Sequence, residues 1–289
     1  MKSLAIHERL STQESILSIR QRFPKGTRWS WHLVKRWLGI SAAQTALESL
    51  EGLEGHAFVN GALRYLRIRT DCTNSSGETL PLKGPVLIVA NHHFGAADAL
   101  LALSLFLPRR PDIKILGNNF LTILPQLSSL IIPVAPPSMK RRRLDGIREV
   151  IRHLEAGKAL LVFPSGQVAS LNRTGAAEDG SWLPGIGRLI HKFHLDVVPV
   201  TFEGQNSRLF YFSRSIHFRF GTLLLLRELL NKTGRCIRVH IGNRIPYDFL
   251  AHSTDPLATM ENLRSITYEQ LDRSKTAITS RSLLDVSDE

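Results

Sequence analysis

The run Val86-Leu-Ile-Val-Ala-Asn-His-His-Phe-Gly-Ala-Ala-Asp98 decides how this chain of 289 residues folds. Val86 to Ala90 are all apolar and follow Gly84-Pro85. An uninterrupted apolar run of that length reads as a parallel strand buried on both faces. It ends in a polar turn bearing Gly95, and a helix is expected from about Ala97 to Phe106.

The same alternation continues outward. Short strands are expected at 113–116, 131–134, 159–163, 196–202 and 236–241. A helix is expected through Phe120 to Leu130, and others over the stripe Leu144, Ile147, Val150, Ile151 and Leu154, over 223–230 and over 257–271. Gly157 is placed to cap the 144–154 helix. The fold class expected is α/β, a mostly parallel central sheet flanked by helices, with an N-terminal amphipathic helical segment. Three regions follow: 1–55 as the N-terminal segment, 56–250 as the α/β domain, and 251–289 as a C-terminal helix and polar tail. Residues 164–183 form a long, polar, glycine-bearing connection, a length usually reserved for function.

Charge narrows the partners. With 37 Lys+Arg against 25 Asp+Glu the net charge is +12, which calls for an anionic partner. Between Ile16 and Leu47 there is no acid, while Arg20, Arg22, Lys25, Arg28, Lys35 and Arg36 are cationic and Trp29, Trp31 and Trp37 are interleaved. Such a mixture on an amphipathic helix suits an anionic membrane interface. Further cations cluster at Lys140 to Arg143 and across 204–247, whereas the stretch from Asp255 onward is acidic. No zinc-finger spacing, heptad-linked basic region or aromatic RNA signature accompanies the charge, so nucleic acid ranks last. No run of 18 apolar residues occurs, and the first 20 residues carry Glu8, Arg9 and Glu14 where a signal peptide needs an apolar core. Two cysteines, Cys72 and Cys236, make neither a disulfide framework nor a thiolate metal site.

Two turns carry chemistry. In open α/β sheets ligands bind beyond the carboxyl ends of strands, where Asn91, His92 and His93 lie. Asp98 falls in the first turn of the next helix, from which a carboxylate can fix an imidazole tautomer and leave the other nitrogen as a base. The same residues also fit a plain helix start, with Asp98 merely favoured by the dipole. Phe163-Pro164-Ser165-Gly166-Gln167 is a second turn at a strand end, but Ser165 lacks the setting of a nucleophile elbow. His191 and His194 have no carboxylate or cysteine beside them in sequence and read as a helical face rather than a metal site. Gly185 and Gly187 read as a helix start after Pro184, not as a dinucleotide fingerprint.

Taken together, His93 through Asp98 (His-x4-Asp), Phe163 through Gly166 and Val198-Pro199-Val200 resemble the glycerolipid acyltransferase superfamily over roughly residues 80–245. Ala90 to Gly95, Val198 to Ser207 and Leu226 to Asn231 resemble its hemolysin-like and lyso-ornithine-lipid O-acyltransferase branch. The resemblance implies that His93 is the general base, Asp98 its orienting carboxylate, and Asn91, Phe94, Gly95, Phe163, Pro164, Ser165, Gly166 and Gln167 the substrate-binding residues. Backbone amides of the Phe163–Gly166 turn, or a helix N-terminus, would hold the oxyanion.

The resemblance implies no metal or redox cofactor. The donor would be an acyl thioester of acyl carrier protein or coenzyme A, the acceptor a lyso-lipid, and the setting the cytoplasmic face of a bacterial inner membrane. Phospholipid-making members carry Phe-Pro-Glu-Gly-Thr-Arg; here Ser165 replaces the Glu, Val168 falls at the Arg position, and Ala135-Pro136-Pro137 follows Ile131–Val134 where the second motif has its Arg. An acceptor phosphate would lose two guanidinium partners. A lyso-aminolipid such as lyso-ornithine lipid is therefore the expected acceptor. Lysophosphatidic acid is the alternative acceptor, and a non-catalytic membrane-binding protein the alternative class.

Overall fold

The computed structural model describes residues 35–74, 80–118, 124–134, 140–216 and 218–285. The tryptophans Trp29 and Trp31 and most of the acid-free N-terminal stretch lie outside these residues, as does the Ala135-Pro136-Pro137 segment.

The chain order is α1 (Ile40–Ser49), α2 (Gly55–Tyr65), β1 (Arg69–Asn74), β2 (Val86–Ala90), α3 (Ala96–Phe106), β3 (Lys114–Asn118), a 3-10 turn (Pro125–Leu130), β4 (Ile131–Val134), α4 (Lys140–Glu155) and β5 (Ala159–Val162). There follow a small hairpin of β6 (Ser170–Leu171) and β7 (Ala177–Glu178), α5 (Pro184–Phe193), β8 (Asp196–Phe202), α6 (Arg208–Ile216), α7 (Phe218–Leu230), β9 (Cys236–Ile241), α8 (Tyr247–Leu250) and α9 (Pro256–Asp285). The main sheet runs β1-β9-β8-β2-β5-β3-β4. Every neighbouring pair is parallel except β8 with β9.

β2 sits at the centre, between β8 and β5. Successive side chains of a strand leave by opposite faces, and β2 obeys this with apolar residues on both. Val86, Ile88 and Ala90 join one core with α2 and α3; Leu87 and Val89 join a second with α4, α5 and α9. β5 divides the same way, Ala159 and Leu161 against Leu160 and Val162. Pro133 lies in β4, the edge strand, where its missing N–H costs no ladder bond. Gly157, with φ 71°, ends α4 by donating its N–H to Leu154 C=O at 2.9 Å.

The helix expected through Phe120 to Leu130 is different in kind. Residues 119–123 are outside the described set, and Pro125–Leu130 is a single 3-10 segment running straight into β4. Pro125 fixes the start, and the segment closes as a short 3-10 turn, the form such brief connectors commonly take. β1 and α6 went unread from sequence. β1 is polar, Arg-Thr-Asp-Cys-Thr-Asn, and lies at a sheet edge where no burial pattern is imposed. α9 packs on α5 and the sheet, placing Met260 and Leu263 in the second core.

At the amino ends of the strands, buried Arg110 ties several segments together. Its guanidinium bonds Asp112 through two nitrogens and donates to the carbonyls of Pro81, Gly84 and Gly157. Asp112 in turn accepts from Ala159 N–H. The Arg110 hydrogen bond holds the Asp112 carboxyl below the usual carboxylate range. Because the folded value is lowered, Asp112 contributes stability that is full above its unfolded value and lost as pH falls through the folded one. Arg110→Lys, which keeps charge but not the planar fork, is expected to cost about 1–3 kcal/mol at neutral pH. In urea melts the deficit should shrink as pH falls through the lowered folded-state value of Asp112, because protonation removes the carboxylate that the fork binds.

Candidate active site

The register puts the two chemistry-bearing turns at one level. Val89 pairs with Val162 and Ala90 with Val200, so Asn91 and Phe163 leave the sheet side by side. Asn91 is fully buried and completes the sheet: its Nδ2 donates to Phe202 C=O at 3.0 Å and its Oδ1 accepts Phe202 N–H at 2.7 Å. It anchors the turn, with no atom exposed for a substrate.

The two histidines separate at once. Consecutive side chains leaving a strand diverge, so only one of them can face Asp98, and it is His92. His92 Nδ1 lies 2.9 Å from Asp98 Oδ2. The expected pairing of Asp98 with His93 is thereby corrected: the partner sits six residues before the carboxylate, not five. Gly95, at φ 87°, makes the sharp reversal that returns the helix start to His92. Asp98 is 0% exposed, and its Oδ2 also accepts the N–H groups of Phe94 (2.9 Å) and Gly95 (3.0 Å). Asp98 Oδ1 has no hydrogen-bond partner among the described residues.

His92 is held on every side except one. Its N–H donates to Asp179 Oδ1 at 3.1 Å, its C=O accepts Ala169 N–H at 2.7 Å, and its ring stacks on Phe163 with centroids 4.2 Å apart. The side chain remains 18% exposed. With Nδ1 committed as donor to the carboxylate, Nε2 carries the lone pair and has no partner among the described residues.

His93 is 2% exposed. Its Nδ1 lies 2.8 Å from Gly204 C=O and therefore carries the proton, and its Nε2 lies 3.3 Å from Tyr268 Oη. Phe94 is buried against Gly204, where an added Cβ would meet Phe94 Cζ at 2.7 Å. Phe94 and Gly95 thus contribute backbone and packing to the turn.

In the second turn, Gly166 N–H donates to Phe163 C=O at 2.9 Å and Ser165 Oγ donates to Gln167 C=O at 2.7 Å. Both groups close the turn on itself, so neither the Gly166 amide nor the Ser165 hydroxyl faces a reactant. Pro164 C=O accepts Leu183 N–H. Gln167 Oε1 accepts a bond from Arg214 Nη2 at 3.0 Å. Burial pulls the Arg214 pKa down, and no carboxylate pairs with it among the described residues. A guanidinium therefore stands next to the Phe-Pro turn, supplied from α6 rather than from the turn itself.

Several participants lay beyond sequence reasoning. Asp179, from the long 164–183 connection, is buried and bonds both His92 N–H and Trp182 Nε1; burial raises its pKa. Tyr268 on α9 accepts Asp179 N–H at 2.7 Å, with burial, and then the Asp179 charge, pushing its phenol pKa far up. Arg264 stacks on Tyr268 and bonds Glu178 at 2.6 Å. The two stretches singled out as branch-like, 198–207 and 226–231, meet here. Buried Glu228 accepts Ser207 N–H and Oγ–H, Lys232 Nζ reaches Asn206 Oδ1, and Asn206 Nδ2 donates to His93 C=O. Burial lowers the Lys232 pKa, with Glu228 opposing it.

His191 Nε2 lies 2.9 Å from Thr259 Oγ1, and His194, the left-handed C-cap of α5, stacks on Tyr247. Among the described residues no cluster of three or more His, Cys, Asp or Glu could hold a metal ion, and no helix is long and apolar enough to cross a membrane.

Behind the first turn of α3 lies a partly open cavity of about 140 Å³, lined almost wholly by carbon. Ala46, Phe58, Ala96, Ala99, Leu103 and Leu230 are among its lining residues, drawn from α1, α2, α3 and α7. Ala96 directly follows Gly95, so one end of the cavity adjoins the histidine turn.

The sequence pattern of a family described as Acyltransferase matches residues 26–275. A lyso-glycine lipid O-acyltransferase of Phocaeicola vulgatus is 26% identical over 227 residues, covering 74% of this chain and 78% of its own. The corresponding protein of Bacteroides thetaiotaomicron is 26% identical over 223 residues, covering 74% and 80%. Among solved structures, the 1-acyl-sn-glycerophosphate acyltransferase of Thermotoga maritima aligns with a TM-score of 0.47 at 15% identity, over 84% of this chain and 92% of that one.

Proposed function

This chain belongs to the acyltransferase family, within the glycerolipid acyltransferase superfamily, and we propose that it moves a fatty acyl group from a thioester to the hydroxyl of a lyso-aminolipid, with His92 as the general base. The observation that carries the reading is the His92–Asp98 pair at 2.9 Å, with Nε2 left unengaged beside the second turn. His92 Nε2 takes the proton of the acceptor hydroxyl as its oxygen attacks the thioester carbonyl. Asp98 holds the Nδ1 proton and stabilises the imidazolium that forms. The tetrahedral intermediate then breaks its C–S bond, and the proton returns from Nε2 to the leaving sulfur. With Gly166 N–H engaged, the Ser165 and Gln167 amides are the turn's remaining donors for the oxyanion. The apolar cavity behind Ala96 receives an acyl chain. The donor is an acyl thioester of acyl carrier protein or coenzyme A.

The acceptor is chosen by charge. A fatty acid amide-linked to an amino acid leaves a carboxylate, and Arg214 offers an uncompensated guanidinium at the turn. Lyso-glycine lipid, the acceptor named for the relatives, presents that carboxylate alone. Lyso-ornithine lipid adds an ammonium group, which the cation-rich 204–247 region disfavours. Purified protein should turn over lyso-glycine lipid faster than lyso-ornithine lipid or lysophosphatidic acid; a preference for the phosphate acceptor overturns the assignment. Arg214→Ala should raise the acceptor KM by about 10–100-fold, the worth of a charge-assisted hydrogen bond. The carboxamide analogue of the acceptor should be insensitive to that substitution.

A further inference from the structure

We propose that the outer face of α6 docks the protein on an anionic lipid bilayer. The inference goes beyond the acyl-transfer reading and does not depend on which acceptor is used. Helix α6 is apolar on two sides. Phe210 and Tyr211 point inward, sharing a cluster with Leu38, Ile40 and Leu224. Leu209, Phe212 and Ile216 fall three and four residues apart on the other side, with Phe212 65% and Ile216 62% exposed. A helix that served only to cover the core would be polar on that side. Trp37, 46% exposed and capped by the Arg227 guanidinium of α7 at 5.0 Å, directly precedes Leu38 of the same cluster.

Charge selects the occupant. Residues 204–247 hold eight Lys and Arg against Glu228 alone. Lys232 is buried against Glu228, and Arg238 and Arg244 pair with Glu203 and Asp196, while Arg208, Arg214 and Arg227 stand on α6 and α7. Glu228 is buried and bonded to Ser207 and Lys232, so it adds no negative charge to the surface. Exposed Arg208 flanks the stripe. Aromatic and aliphatic side chains framed by cations match a bilayer interface, whose acidic headgroups lie outside its acyl region. The inner side of the same helix carries Arg214 to Gln167 of the Phe-Pro turn. A bilayer against α6 therefore adjoins the place where a lipid acceptor must enter.

The test is flotation of the full-length protein with vesicles of phosphatidylglycerol and phosphatidylcholine, compared with phosphatidylcholine alone. Wild type should float with the anionic vesicles. The double variant F212D/I216D should bind about tenfold less and keep wild-type turnover on detergent-dispersed lyso-lipid. The milder F212S/I216S, with an unchanged melting temperature, should fall between them. Equal flotation of wild type and both variants overturns the proposal. So does a loss accompanied by conversion of a wild-type dimer to monomer, which assigns the stripe to a second copy of the chain. Turnover on detergent-dispersed acceptor by wild type reads the acyl-transfer proposal separately, so either can fail alone.

Discussion

His92→Ala is expected to reduce acyl transfer about 10²–10⁴-fold, the range for loss of a positioned general base, while His93→Gln keeps most of the wild-type kcat. The contrast rests on what each ring nitrogen is already doing. His92 gives Nδ1 to Asp98 and keeps an unengaged Nε2 on a side chain that is partly exposed. His93 is buried, donates to Gly204 C=O and faces the Tyr268 hydroxyl. A base must reach its proton, and His93 cannot do so without breaking one of these bonds. Glutamine at 93 retains a donor and an acceptor of similar reach, so it disturbs packing more than chemistry. Single-turnover rates with a saturating acyl donor separate the two variants. Equal losses would return the base role to His93, and full activity of His92→Ala would favour a protein that binds lipid without catalysis.

The central strands were legible because burial on both faces forces a run dominated by apolar residues. Val86–Ala90 and Ala159–Val162 are unbroken, and Asp196–Phe202 departs only at its first residue and at buried Thr201. β1 gives no such signal, since an edge strand of Arg, Thr, Asp, Cys and Asn needs only a partner to bond with. The two site turns were legible for the same reason that they exist: each follows a buried strand at its carboxyl end. Which histidine faces Asp98 was not. That choice depends on the backbone reversal at Gly95 and on opposite side-chain directions at 92 and 93, and a count of intervening residues does not contain either. Asp179, Tyr268 and Arg214 were harder still. They reach the site from a connection, a distant helix and α6, over separations of 87, 175 and 47 residues from His92, His93 and Gln167. Only the packing of the folded sheet brings them there.

The Asp98 carboxylate offers the sharpest division between geometry and charge. Asp98→Asn is nearly isosteric, and an amide oxygen at the Oδ2 position could still accept from His92 Nδ1, Phe94 N–H and Gly95 N–H. Its NH₂ group would take the place of Oδ1, which is buried and has no partner among the described residues. The variant therefore gains an unsatisfied buried donor, costing about 1–3 kcal/mol of stability, yet it retains the turn. What disappears is the negative charge facing the imidazolium. Catalysis should accordingly fall about 10²–10⁴-fold in kcat, while acceptor KM stays near wild type, because the position of the imidazole is preserved. Asp98→Ala instead strips three donors of their acceptor and should lose the fold of the turn, seen as a larger drop in melting temperature and a raised KM. If Asp98→Asn matched wild-type kcat, Asp98 would be a helix cap that happens to touch a histidine, and the rate would have to come from positioning at the two turns alone.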